Sequence, residues 1–155
     1  MRVQPGVRRA TSRDLARIVA IEGASFGRAA YDCKLFAHFL RECGGLFLVA
    51  ERNRKVCGYM VTCIRVRRGA KRAELVSVAV DPVQRQRGAA TALLASTLRR
   101  LRRRGVERIH LVVRTGNGAA LSLYEKYGFR PIRRLPRYYE DGADGIAMSR
   151  KVTLP

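Results

Sequence analysis

A single three-layer α/β domain is predicted for this 155-residue chain, on three observations. Two helical stretches and a set of apolar β-rich runs fill the first half. Strand and helix patterns alternate through the second half, and no repeat or Pro/Ser-rich linker divides the chain. The length suits one domain over 1–155, and 47% apolar residues suffice for a core and exclude global disorder.

Each element has a local reason. Thr11 is an N-cap with an acid, Asp14, three residues on, and Leu15, Ile18 and Ile21 follow at helical spacing, so a helix is predicted over 12–22. Leu35, Phe36, Phe39 and Leu40 share one face of a second helix over 32–43, stopped by Gly44-Gly45. The runs 46–50 and 56–64 flank the polar turn Arg52-Asn53-Arg54-Lys55 and read as an antiparallel hairpin. A third strand covers 73–80 and stops at Asp81-Pro82. Leu94, Leu98 and Leu101 set a long helix over 88–104, ended by Gly105. Residues 108–114 form a strand, 117–127 a helix closed by Gly128, and 129–135 and 146–152 two last strands.

No apolar run approaches the ~20 residues of a membrane-spanning helix, and Met1-Arg2-Val3-Gln4-Pro5 lacks a secretory apolar stretch, so a cytoplasmic protein without membrane contact is expected. Cys33, Cys43, Cys57 and Cys63 form no C-x-x-C pair and no cluster with His38 or His110. They are read as reduced, buried thiols, with no metal site and no disulfide framework. The net charge of +20 is the outlier. Only five of the 32 cations are lysines (Lys34, Lys55, Lys71, Lys126, Lys151) and the arginines are scattered. Such a field attracts polyanions, including RNA, ribosomes and phosphorylated cofactors, though a solvated surface explains it as well.

The informative stretch is Val78-Ala79-Val80-Asp81-Pro82-Val83-Gln84-Arg85-Gln86-Arg87-Gly88-Ala89-Ala90: a strand end, a loop of arginines and small residues, then a long helix. Unpaired amides and the helix dipole make this a pyrophosphate-binding geometry, or a plain helix start with solvated arginines. It has no Gly-Lys-Ser/Thr of a Walker loop and no G-x-G-x-x-G.

Arg85-x-x-Gly88-x-Ala90 after Val78–Pro82 resembles the acetyl-CoA loop of the GNAT N-acetyltransferases, whose pattern is Q/R-x-x-G-x-G/A. Val113 to Phe129 resembles the next strand and helix of that family. Arg137-Tyr138-Tyr139-Glu140-Asp141-Gly142 with Ile146-Ala147-Met148 is similar to the closing strands of its protein-N-terminal branch, the ribosomal-protein-alanine N-acetyltransferases above all. The resemblance implies a mixed, mostly antiparallel sheet with helices on both faces, and acetyl-CoA as cosubstrate. Val78, Ala79 and Val80 would meet the pantetheine arm, and Arg85, Gln86, Arg87, Gly88, Ala89, Ala90 and Thr91 would wrap the pyrophosphate. Asn117 would bind the pantetheine or acetyl end, or simply cap its helix. Tyr124 would protonate the leaving thiolate, or pack in the core. Tyr138 and Tyr139 would hold the acceptor backbone, and the acids Glu140, Asp141 and Asp144 would form an acidic rim, or a polar hairpin turn.

One position departs from the family. The general-base Glu of the alanine-acetylating branch is Val112 here. Glu74, in a run resembling the histone-acetylating branch, is the replacement base, or a surface partner of a neighbouring Arg; His110 and a held water are alternatives. The acceptor is expected to be a protein N-terminus: an α-amine with a pKa near 7.7–8.0 needs less help than a lysine near 10.4. A small amine, a lysine, or a non-catalytic acetyl-CoA- or RNA-binding module are the rival readings. No Cys falls in the motif blocks, so direct attack is expected rather than an acetyl-Cys intermediate. The run 99–104 is a solvated helix face or an RNA contact docking on a ribosome.

Overall fold

The computed structural model describes residues 4–27, 30–85 and 88–152. Its elements run β1 (Gly6–Arg9), α1 (Leu15–Phe26), α2 (Cys33–Cys43), β2 (Phe47–Arg52), β3 (Lys55–Arg67), β4 (Ala70–Val80), α3 (Ala89–Arg103), β5 (Arg108–Arg114), α4 (Gly118–Lys126), β6 (Arg130–Leu135) and β7 (Gly145–Lys151). The strands are ordered β1-β2-β3-β4-β5-β7-β6, with β4 and β5 parallel and β1–β2, β2–β3, β5–β7 and β7–β6 antiparallel, so the expected α/β, mostly antiparallel architecture holds. No helix among the described residues is long and apolar enough to cross a membrane.

The predicted elements recur within a few residues, and the differences have local causes. Only Arg68 and Gly69, both at positive φ, separate β3 from β4, so β3 runs past 64 and β4 starts ahead of 73. The strand β1 was not foreseen: it has four residues, two of them Arg, and exists by pairing with β2 at Val7↔Ala50 and Arg8↔Val49. Ser12–Asp14 form a 3-10 turn ahead of α1, capped by Thr11, whose amide donates to Asp14 Oδ2.

The chain divides into two compact units, Met1–Cys63 with Leu75–Arg100, and Ile64–Glu74 with Leu101–Pro155. In the first, α1 and α2 pack on the sheet face that carries Phe47, Val49, Tyr59 and Val61, and the Phe36 ring stands edge-on to Tyr59 at 5.3 Å. Met60 points the opposite way along β3, and its sulfur accepts from Thr97 Oγ1 of α3 at 3.4 Å, so helices cover both faces here. A carboxylate is buried in this core. Glu22 is 2% exposed; it accepts from the Tyr59 hydroxyl, which shares a 3.0 Å contact with Ser77 Oγ, and burial lifts its carboxyl above the ordinary glutamate range.

The thiol reading is corrected in this unit. Cys43, the last residue of α2, is disulfide-bonded to Cys63 of β3, Cα–Cα 5.0 Å. Tertiary packing brings together two residues twenty apart, which no short spacing announces. Cys57 is a buried thiol as expected, while Cys33 is exposed.

In the second unit β5 lies between β4 and β7. Ile109, Leu111 and Val113 are buried on one face, and His110, Val112 and Arg114 are half-buried on the other. Arg150 is buried, and carbonyls satisfy it: Nη1 donates to Tyr127 O at 2.7 Å, holding the end of α4 against β7.

Candidate active site

Within the first unit the strand end, the loop and the start of α3 form one feature. Ala79 is buried among the Tyr59 cluster, while Val78 and Val80 are half-exposed on alternate positions. Asp81 then stops β4. Its amide donates to Cys57 O at 2.8 Å, Oδ1 accepts from the Val83 amide at 3.1 Å, and Oδ2 pairs with Arg17. The Val83 amide first, and Arg17 after it, hold this carboxyl below the usual range. Arg85 folds back on the same corner, donating from Nε to Val80 O at 3.3 Å and from Nη2 to Ser25 Oγ at 3.1 Å. Gln86 and Arg87 lie outside the described residues.

Gly88 has φ +87°, a conformation that a side-chain-bearing residue adopts only under strain, and its carbonyl accepts the Ala92 amide at 2.9 Å. That bond makes Gly88 the cap of α3 and leaves the amides of Ala89, Ala90 and Thr91 without intrahelical acceptors. No acidic residue stands in the first turn, so nothing of the helix's own competes for that partial positive charge. An anionic phosphate group fits this end of α3.

Within the second unit, Glu74 and His110 are direct cross-strand partners, so the two candidate bases are neighbours on one face of the sheet. Arg65 Nε stands 3.7 Å from Glu74 Oε2, and both side chains are solvent-accessible. The ion-pair reading of Glu74 is thus realised in a long, weak form that leaves the carboxylate available. Val112 is tightly packed: a Cβ on Gly145 would fall 2.7 Å from its Cγ1 and 3.4 Å from Tyr138 Cβ. A longer acidic side chain at 112 would displace this contact.

Tyr124 is 4% exposed, with its ring edge-on to Phe129 at 5.5 Å. Desolvation first, and the neighbouring Tyr139 second, push its phenol up to about 12, so it holds its proton throughout the neutral range. Asn117 caps α4, its Oδ1 accepting the Ala120 amide at 3.1 Å, which leaves its side-chain NH₂ free to donate elsewhere.

Tyr138 and Tyr139 meet edge-to-face at 5.0 Å, with Tyr138 52% exposed. Their loop is held by charges. Arg114 Nη1 donates to both oxygens of Asp141 at 3.1 and 2.8 Å, and its guanidinium lies 4.1 Å from the Tyr139 ring centroid. Asp144 accepts from Arg134 Nε at 2.8 Å and the Arg137 amide at 2.9 Å. Backbone amides first, then these arginines, hold both carboxyls below the aspartate range. Of the two readings of these acids, the polar hairpin turn describes the bonding of Asp141 and Asp144, which brace the loop while the Asp141 side chain stays exposed. Arg114 is the residue the sequence reading missed. The available signal was an acid-rich loop that needed a cation, with Arg114 at the end of β5. Among the described residues no group of three or more His, Cys, Asp or Glu is placed to hold a metal.

Known proteins carry the same pattern. The sequence model of the acetyltransferase (GNAT) family matches residues 14–129. The N-alpha-acetyltransferase of Sulfolobus acidocaldarius is 31% identical over 152 residues, covering 92% of this chain and 90% of that protein. The [ribosomal protein bS18]-alanine N-acetyltransferase of Escherichia coli is 33% identical over 106 residues, covering 66% of this chain and 69% of that protein. The crystal structure of Ard1 from Thermoplasma volcanium superposes with a TM-score of 0.90 at 29% identity, over 98% of this chain and 100% of the other. With its motifs, fold and family match in agreement, the chain belongs to the acetyltransferase (GNAT) family.

Proposed function

We propose that this N-acetyltransferase acetylates protein N-terminal α-amines, with acetyl-CoA as donor and direct attack in a ternary complex. The observation that carries the reading is the 31% identity, over nearly the whole chain, to an N-alpha-acetyltransferase. Bound acetyl-CoA supplies an activated acetyl thioester. Gly88, Ala89, Ala90 and Thr91 bind its pyrophosphate through backbone amides, together with Arg85, Gln86 and Arg87, and Val78, Ala79 and Val80 line the pantetheine arm. Asn117 directs its side-chain NH₂ to the acetyl end, and Tyr138 and Tyr139 hold the acceptor backbone.

Glu74 takes the proton released as the amine nitrogen bonds to the thioester carbon. Tyr124 gives its proton to the sulfur as the C–S bond breaks, and its lifted pKa keeps that proton in place until then. Association with an RNA-rich particle accords with the net charge of +20.

The test is mass spectrometry of an Ala-starting peptide incubated with protein and acetyl-CoA, beside the same peptide with a blocked N-terminus and one internal Lys. One acetyl on the free N-terminus and none on the blocked peptide is expected. Modification of the lysine alone overturns the reading.

A further inference from the structure

We propose that the β3–β4 hairpin and the adjoining edge of the second unit form a docking surface for the phosphate backbone of RNA. The inference rests on the N-terminal reading only for the choice of RNA, since new N-termini emerge from an RNA-rich particle. Arg72, Arg108 and Lys151 are direct cross-strand partners on three adjacent strands, so three cations stand in one row on one face. Like charges placed directly opposite destabilise a sheet, and strands lie ~4.8 Å apart, so this row carries a cost that a polyanion relieves.

The row continues into the hairpin. Arg67, Arg68, Ala70 and Arg72 line an open depression beside it. Lys71 Nζ donates to Arg104 O at 3.0 Å, and the Glu107 amide donates to Lys71 O at 3.0 Å, which ties the hairpin to the arginine-rich segment 102–104. Among the described residues, no carboxylate pairs with Arg67, Arg68, Arg72, Arg102, Arg103 or Arg104; Glu74 is engaged at long range by Arg65.

The chemistry favours a nucleic acid over an acidic protein or a lipid surface. The cations are mostly arginines, whose planar forks match phosphate oxygens in pairs. Val66 is the one exposed large apolar side chain of the hairpin, and no aromatic residue stands between 64 and 74, so a protein interface would lack its buried anchor. The absence of a stacking platform also points to reading of the backbone rather than of bases.

The test is binding of an RNA hairpin to the full chain across a salt series. Two triple variants are compared: Arg67→Gln/Arg68→Gln/Arg72→Gln, and a charge-matched control in the other unit, Arg13→Gln/Lys34→Gln/Arg41→Gln. Each phosphate contact contributes a slope of about −0.9 in log K against log salt on a duplex, so the hairpin variant should flatten that slope by about 2–3 and bind at least about tenfold more weakly. The control should stay near the parent, and peptide acetylation should be unchanged in both. Equal weakening by the two variants, or displacement of RNA by polyglutamate at matched charge, overturns the proposal. The peptide assay reads the acceptor assignment separately, so loss of one leaves the other standing.

Discussion

Arg114 grips the loop between β6 and β7 twice, with its guanidinium 4.1 Å from the Tyr139 ring centroid and its Nη1 on Asp141. A lysine is a point charge and cannot stack on a ring while bridging a carboxylate. Arg114→Lys should raise the KM for an Ala-starting peptide about tenfold, equivalent to about 1.4 kcal/mol. The KM for acetyl-CoA and kcat should hold. Steady-state kinetics with each substrate varied checks the split; equal losses in all three would make Arg114 merely structural.

Tyr124→Phe removes only the hydroxyl and keeps the ring against Phe129. If that hydroxyl protonates the thiolate, kcat should fall about 10²–10⁴-fold, the span of a positioned general acid. With the phenol pushed up to about 12, the parent's rate should climb as the peptide amine deprotonates, without a descending limb below about pH 10. A fall near neutrality would assign the acid to another group.

Glu74 and His110 face each other across β4 and β5, so single variants separate their roles. Glu74→Gln should lower kcat about 10²-fold at pH 7 and much less at pH 9, where the α-amine has already shed its proton. His110→Ala should leave that pH dependence intact. If the Gln variant keeps the parent profile, Glu74 is not the base.

What the sequence revealed and what it hid follow the range of the interactions. Gly88 and the arginine loop announced the start of α3, because a positive-φ cap and free amides are local requirements. The cap at Asn117 was likewise legible. The two grips of Arg114 and the disulfide were not: each joins residues about twenty or more apart, by contacts that exist only once strands and helices are packed. The acidic loop stayed open between a rim and a hairpin turn for the same reason, since composition shows charges but not the partners that engage them. The strand β1 lacked apolar alternation because its pairing with β2 does the work.

Glu22 makes the first unit sensitive to alkali. Its folded carboxyl keeps a proton at pH values where the unfolded chain, near the ordinary value of 4.5, has released it. The native state therefore binds more protons than the unfolded state in that window, and stability falls as pH rises through it. Glu22→Gln retains a carbonyl oxygen for the Tyr59 hydroxyl and has nothing to titrate. The Tm difference between variant and parent should shift in the variant's favour from about pH 5 to about pH 8. A difference independent of pH would remove Glu22 as its source.

The Cys43–Cys63 bond closes a loop over β2 and the first part of β3, a sequence separation of 20. A cross-link of this span constrains the unfolded chain by about 3 kcal/mol. Cys63→Ser should lower the urea midpoint accordingly, and a reductant should lower the parent's midpoint while leaving the variant's unchanged. Thiol alkylation provides a second count. Cys33 is exposed, whereas Cys57 is buried with its thiol pushed up by desolvation and its Sγ directed at Ala50 O, 3.4 Å away. The native protein should take one label, the denatured protein two, and the denatured and reduced protein all four cysteines. Four labels without reductant would show that the two sulfurs are not joined.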